Sequence, residues 1–174
     1  MLLTCLSIQC KILSKEKKQL EELERLLKEL ENKNRFSETI NSKVSKAAVG
    51  WHIEHILLAL NKIIKALERS NPTEYRPKLS FAKFFVFTFN KIPRGIAKAP
   101  ANVWPVEKFS SESTRELFKT SYLSLRKLSA LQKDNYFEHP YFGKINLKPA
   151  IKFLRIHTKH HLKIIDDILK PANE

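Results

Sequence analysis

The sequence predicts an all-α fold, and three observations carry that prediction. Glycine occurs only three times in 174 residues, which disfavours a turn-rich all-β chain. Apolar residues recur with helical spacing over four long segments. Hydrophobic residues make up 43% and charged residues 29%, a globular profile and not a disordered one. A chain of this length folds as one domain with room for a good core.

The first helix is expected from about Ser14 to Asn34. Leu20, Leu23, Leu27 and Leu30 alternate spacings of three and four, and Leu13 lies a heptad before Leu20. Two heptads are too few for a sustained coiled coil, so a bundle helix is the better reading. The residues before it, 1–12, read as a disordered or mis-assigned start, and 13–174 as the single domain. The opening ten residues are apolar but lack a basic region and a small-residue cleavage site, so no signal peptide is expected.

The second helix is expected from about Val44 to Arg69. Glu54, Asn61, Lys65 and Glu68 gather on one polar face, while His52, Ile56, Ala59, Ile63 and Leu67 mark the other. Ser70, Asn71 and Pro72 end it. Five prolines then break the pattern between Asn71 and Ser111. Within that stretch, residues 81–89 (Phe-Ala-Lys-Phe-Phe-Val-Phe-Thr-Phe) are ambiguous between a strand and a short helix. They read either as a membrane-surface or ligand-wall segment or, preferably, as a lid packed over one end of the bundle.

The third helix is expected near Ser113, where Ser113 and Glu116 have capping-box spacing, and runs to about Lys133. A loop carrying His139-Pro140-Tyr141-Phe142-Gly143 leads to the fourth, from Leu147 to Lys170. Asn146 is placed to cap it, and Pro149 falls in its first turn, where proline is tolerated.

That last helix holds the most informative pattern in the chain. Ile151, Leu154, His157, His161, Ile164, Ile165 and Ile168 share one stripe. Residues four apart differ by about 40° of rotation and roughly 6 Å of rise, so both imidazoles point inward from one face. Two inward imidazoles are awkward as packing, because each brings nitrogens that need partners. They suit a metal-chelating pair. On the second helix His52 and His55 are candidates for a third ligand; the helical wheel puts His52 nearer the middle of the apolar face and His55 at its flank. His160 lies about 100° from His161 and does not share the inner stripe equally.

Two runs resemble the DinB-like superfamily. Val49-Gly50-Trp51-His52-Ile53-Glu54-His55-Ile56 is similar to its second-helix motif, in which Gly-Trp precedes a ligand histidine by one turn. His157-Thr158-Lys159-His160-His161-Leu162 resembles the His-x-x-x-His motif of its last helix. The His139-Pro140-Tyr141-Phe142-Gly143 loop looks like that of an uncharacterised subfamily. The likeness spans about Lys43 to Lys170, with little of it in the proline-rich stretch. It implies an up-down-down-up four-helix bundle with one divalent metal ion (zinc, nickel or iron) on His55, His157 and His161. Many relatives continue with Arg-Gly-Gln after the paired histidines, where this chain has Leu162-Lys163-Ile164. His52, His139 and His160 are left as supporting or surface residues, with His139 read as a loop imidazole hydrogen-bonded near the start of the last helix.

Three neutral imidazoles leave a metal its full charge, which depresses the pKa of a water or thiol placed on it. Relatives include metal-dependent hydrolases and transferases that use a low-molecular-weight thiol, so both activities follow from the resemblance, with an unknown small-molecule substrate. No assured general base is visible: Glu54 is assigned to the polar face, Glu138 to a loop and Asp166 off the inner stripe. Cys5 and Cys10, the only cysteines, make no disulfide framework and are not placed as nucleophiles. A second reading is therefore a non-catalytic binding or dimerisation module, with the leucine-rich first helix pairing to a copy of itself as a homodimer. Nucleic-acid binding, suggested by the formal charge of +14, ranks last: the lysines are scattered and no recognition motif accompanies them. No run approaches the roughly 20 apolar residues of a membrane span, so a cytoplasmic protein without a membrane partner is expected.

Overall fold

A computed structural model describes residues 2–95, 103–105 and 111–171, with backbone alone for 2–16 and 111. The chain is mostly helical. Among the described residues are five α-helices: α1 (Leu2–Lys33), α2 (Val49–Arg69), α3 (Phe81–Phe89), α4 (Ser111–Lys127) and α5 (Leu147–Leu169). A two-stranded antiparallel sheet, β1 (Tyr136–His139) and β2 (Gly143–Asn146), precedes α5.

Side-chain pairings set the directions of the four long helices. Glu54 meets Thr114, Asn61 meets Ser121 and Glu68 meets Lys127, so α2 and α4 run parallel. Glu22 pairs with Arg155 and Lys159 while Lys33 pairs with Asp166, so α1 and α5 run parallel. His52 meets His161 and His55 meets His157, so α2 and α5 are antiparallel. Between these helices lies a continuous core. Leu23, Leu27 and Leu30 of α1, Ile53, Ile56, Leu57, Leu60, Ile64 and Leu67 of α2, and Leu154 and Ile165 of α5 are fully buried. Each contributes roughly 1.5–3 kcal/mol relative to exposure. Of the leucines that suggested pairing with a second copy, Leu23, Leu27 and Leu30 are buried within the chain and Leu20 is half-buried.

Sequence and structure differ most at the helix starts. α2 begins at Val49, not near Val44, because the preceding turns supply its first backbone acceptors. Val49 N donates to the Thr39 carbonyl at 3.0 Å and Gly50 N to the Ser37 carbonyl at 2.9 Å, satisfying orphan donors of the first turn. At the other end, the buried Asn135 side chain donates to the Leu67 and Ser70 carbonyls. α4 begins at Ser111, so Ser113 lies inside the first turn and is no N-cap. Ser113 and Thr114 instead bond Glu54 across the α2/α4 seam. Asn146 holds the N-cap position of α5 with extended backbone, but its side chain makes no capping bond and reaches Asp134 at 3.4 Å. α1 starts at Leu2, well before Ser14.

The ambiguous aromatic stretch is helix α3, capped by Ser80, whose Oγ accepts from Lys83 N at 3.2 Å. The supposed loop after α4 is a hairpin. Phe137 pairs with Ile145 and both are buried, while Gly143 takes the left-handed φ of +67° that closes the turn after Pro140-Tyr141-Phe142.

Glu54 departs furthest from expectation. Assigned to the polar face, it is 2% exposed, and burial raises its pKa despite the hydroxyls of Thr114 and Ser113. Along the polar stripe of α2, Glu54, Asn61 and Glu68 reach α4, while Lys65 and Glu68 stay exposed. Thr114→Val should therefore remove a donor to a buried carboxyl and cost about 1–3 kcal/mol in urea unfolding, more than truncating an exposed hydroxyl such as Ser129.

Candidate metal centre

The antiparallel crossing of α2 and α5 brings three of the six histidines together. One ring nitrogen from each of His55, His157 and His161 lies within 4.8 Å of the other two. They are the three residues that the family likeness implied as ligands. His55 and His161 are buried, and His157 is half-buried as a residue.

Each ring is held by a definite partner. The Nδ1–H of His55 donates to the Val103 carbonyl at 2.9 Å, which leaves the Nε2 lone pair facing the centre. Trp51, one turn earlier, stacks flat on the His55 ring, with centroids 5.1 Å apart and planes 10° from parallel. That stacking gives the Gly-Trp motif a physical role: it limits rotation of His55. The Nε2 atoms of His55 and His157 are 3.2 Å apart. Two nitrogens bound at about 2.0–2.1 Å to one tetrahedral ion lie roughly 3.3 Å apart, so this spacing fits a shared metal. Phe153 stacks against His157 from the preceding turn.

His161 is oriented by a chain of contacts that the sequence did not reveal. Its Nδ1 is 3.0 Å from Nδ1 of His52, and Nε2 of His52 is 3.0 Å from Ser45 Oγ. The wheel preference for His52 was right about its burial; its ring supports His161 from behind. A polar residue just before α2, one helical turn or two from an inward histidine, was the available signal for Ser45.

The electrostatics favour neutral rings. Burial, reinforced by neighbouring imidazoles, lowers His157 and His161 well below the usual histidine value. Burial also lowers His55, against the opposing Val103 bond. Neutral imidazole is the form that ligates metals. The donor set is all nitrogen: among the described residues no carboxylate joins it. Glu54 is committed to α4, Asp166 to Lys33, and Glu138 is exposed on β1. His160 hydrogen-bonds the Ile92 backbone and lines an open groove with Arg94, Lys159 and Lys163. The side chains of Cys5 and Cys10 lie outside the described residues.

His139 is not a ligand. Its Nδ1 accepts from Tyr141 N at 3.2 Å within the hairpin, not near the start of α5, and its ring stacks on Phe142 with centroids 4.1 Å apart. Its ring meets Phe153 edge-on, which in turn stacks on His157.

The chain matches no protein-family model, no curated protein and no solved structure.

Burial pushes His139 down to about 4 from an ordinary 6.5. The unfolded chain therefore binds the extra proton between those values, and stability falls as pH drops through that window. His52, lowered to about 4 chiefly by burial, acts in the same direction. Urea midpoints should decrease from about pH 7 to about pH 5, and His139→Phe should flatten the dependence over that range by up to about 2 kcal/mol, taking about 1.4 kcal/mol per pKa unit.

Proposed function

We propose that this chain is a DinB-like four-helix bundle that holds one divalent metal ion on His55, His157 and His161 and acts as a metal-dependent hydrolase or a thiol-dependent transferase. The observation that carries the reading is the convergence of three buried or part-buried ring nitrogens, from two antiparallel helices, at a spacing suited to one ion. The helix directions agree with an up-down-down-up order: α1 and α5 parallel, α2 and α4 parallel, and α5 opposed to α2. Because α2 and α4 run parallel, the chain between them has to return along the bundle, and α3 lies in that connection.

Three protein ligands of this type leave a coordination position open, as catalytic sites require. A divalent ion there supplies Lewis acidity toward a substrate, water or thiol. The protein's part is to keep the rings neutral through burial, to fix His55 through Val103 and Trp51, and to brace His161 through His52. Among the described residues no carboxylate joins the three rings.

Metal analysis of the purified protein tests the reading. Wild type should carry about one equivalent of a divalent ion. His157→Ala and His161→Ala should each lose it while keeping the helical far-ultraviolet signal. Equal occupancy in all three proteins would overturn the site. With the metal loaded as cobalt, addition of a small thiol should change the visible ligand-field spectrum; an unchanged spectrum would favour the non-catalytic binding module instead.

A further inference from the structure

We propose that α3 docks on the surface of an anionic lipid bilayer. No helix among the described residues is long and apolar enough to cross a membrane. The inference concerns a helix lying on one, and it does not depend on the metal centre.

A surface helix of a globular protein turns its apolar stripe inward and its polar side to water. α3 does the reverse with most of its aromatic rings. Val86 is buried and Phe87 packs against the core, which accounts for its inner side. Phe81, Phe84, Phe85 and Phe89 fall together on the outer side at helical spacing, and are 95%, 69%, 46% and 58% exposed. Leu79, just before the helix, is fully exposed. Aromatic exposure on this scale is unusual for a surface that meets only water.

The helix is also fixed in this attitude. Ser80 caps its start and donates to the Tyr141 carbonyl at 3.0 Å. The Lys152 ammonium donates to the Phe87 carbonyl at 2.7 Å. Asn90 ends it in the left-handed conformation, with φ of 51°. The phenylalanines are therefore presented by a clamped helix and do not reflect a loosely packed one.

Charge selects the occupant. The chain runs from Tyr75 to Val106 without a single acidic residue, although it contains 18 elsewhere. Arg76, Lys78 and Lys91 are exposed at the two ends of α3, and Lys83 lies within it. Phenylalanines on one side, flanked by cations and with no acidic residue in the segment itself, match the layered chemistry of a bilayer interface: rings enter the acyl boundary while ammonium groups meet lipid phosphates. A second copy of the same face would bring like charges together.

Vesicle co-sedimentation of the full chain tests this. With phosphatidylcholine vesicles containing phosphatidylglycerol the wild type should pellet at low salt and be released as salt rises, and with phosphatidylcholine alone it should pellet less. Phe81→Asp/Phe84→Asp should stay in the supernatant; these side chains are exposed, so helical content should be unchanged, and Phe85→Gln/Phe89→Gln provides a milder second pair. Lys78→Gln and Lys91→Gln should each weaken partitioning about fivefold. Three results would overturn the proposal: wild type remaining soluble with both vesicles, the phenylalanine variants pelleting as well as wild type, or a dimer in sedimentation equilibrium that the same variants dissociate without any vesicle binding.

Discussion

The α2/α5 seam is governed by the requirement that buried imidazole nitrogens find partners. Four rings, His52, His55, His157 and His161, sit where an ordinary helix pair would place leucine and isoleucine. An unpaired polar group in such a place costs several times what a methylene contributes. The seam answers that cost from outside its own two helices. A carbonyl from the connection before α4 takes one nitrogen, and a hydroxyl from the turn before α2 takes another. What remains is a set of lone pairs turned toward one another. Those lone pairs compete for protons that burial makes hard to acquire, and a bound divalent ion would resolve the competition.

Polar contacts also organise the opposite seam, between α2 and α4. Glu54, Asn61 and Glu68 recur every seven residues and meet Thr114, Ser121 and Lys127 in step. Such rungs fix register more sharply than apolar packing does, because a slip of one residue would strand a buried carboxyl. α2 thus has two specified faces: one seats it against α4 and the other aims its histidines at α5.

The helices of the core and the paired histidines of α5 were legible because both depend on local periodicity. The stripe from Ile151 to Ile168 needs only the angle per residue, and α5 begins at Leu147 as read from the chain. The features that escaped depend on partners distant in sequence. Glu54 has the spacing of a surface residue, and only α4, sixty positions away, makes it an interior one. Capping-box spacing at Ser113 was genuine as a pattern, yet a tertiary acceptor outcompeted the local one. The hairpin was hidden by its shortness: strands of four residues, one followed by a proline and the other begun by a glycine, look like loop. His52 and His55 could not be ranked by a wheel, since both are buried and the difference lies in which neighbour each ring meets.

The orienting acceptor for His55 is a main-chain oxygen. Every residue type supplies that atom, so replacing the Val103 side chain would leave it in place. Control over the ring therefore resides in the path and length of the backbone between α3 and α4, where an inserted or deleted residue would matter more than almost any exchange. A survey of point substitutions would find the imidazole and overlook what aims it.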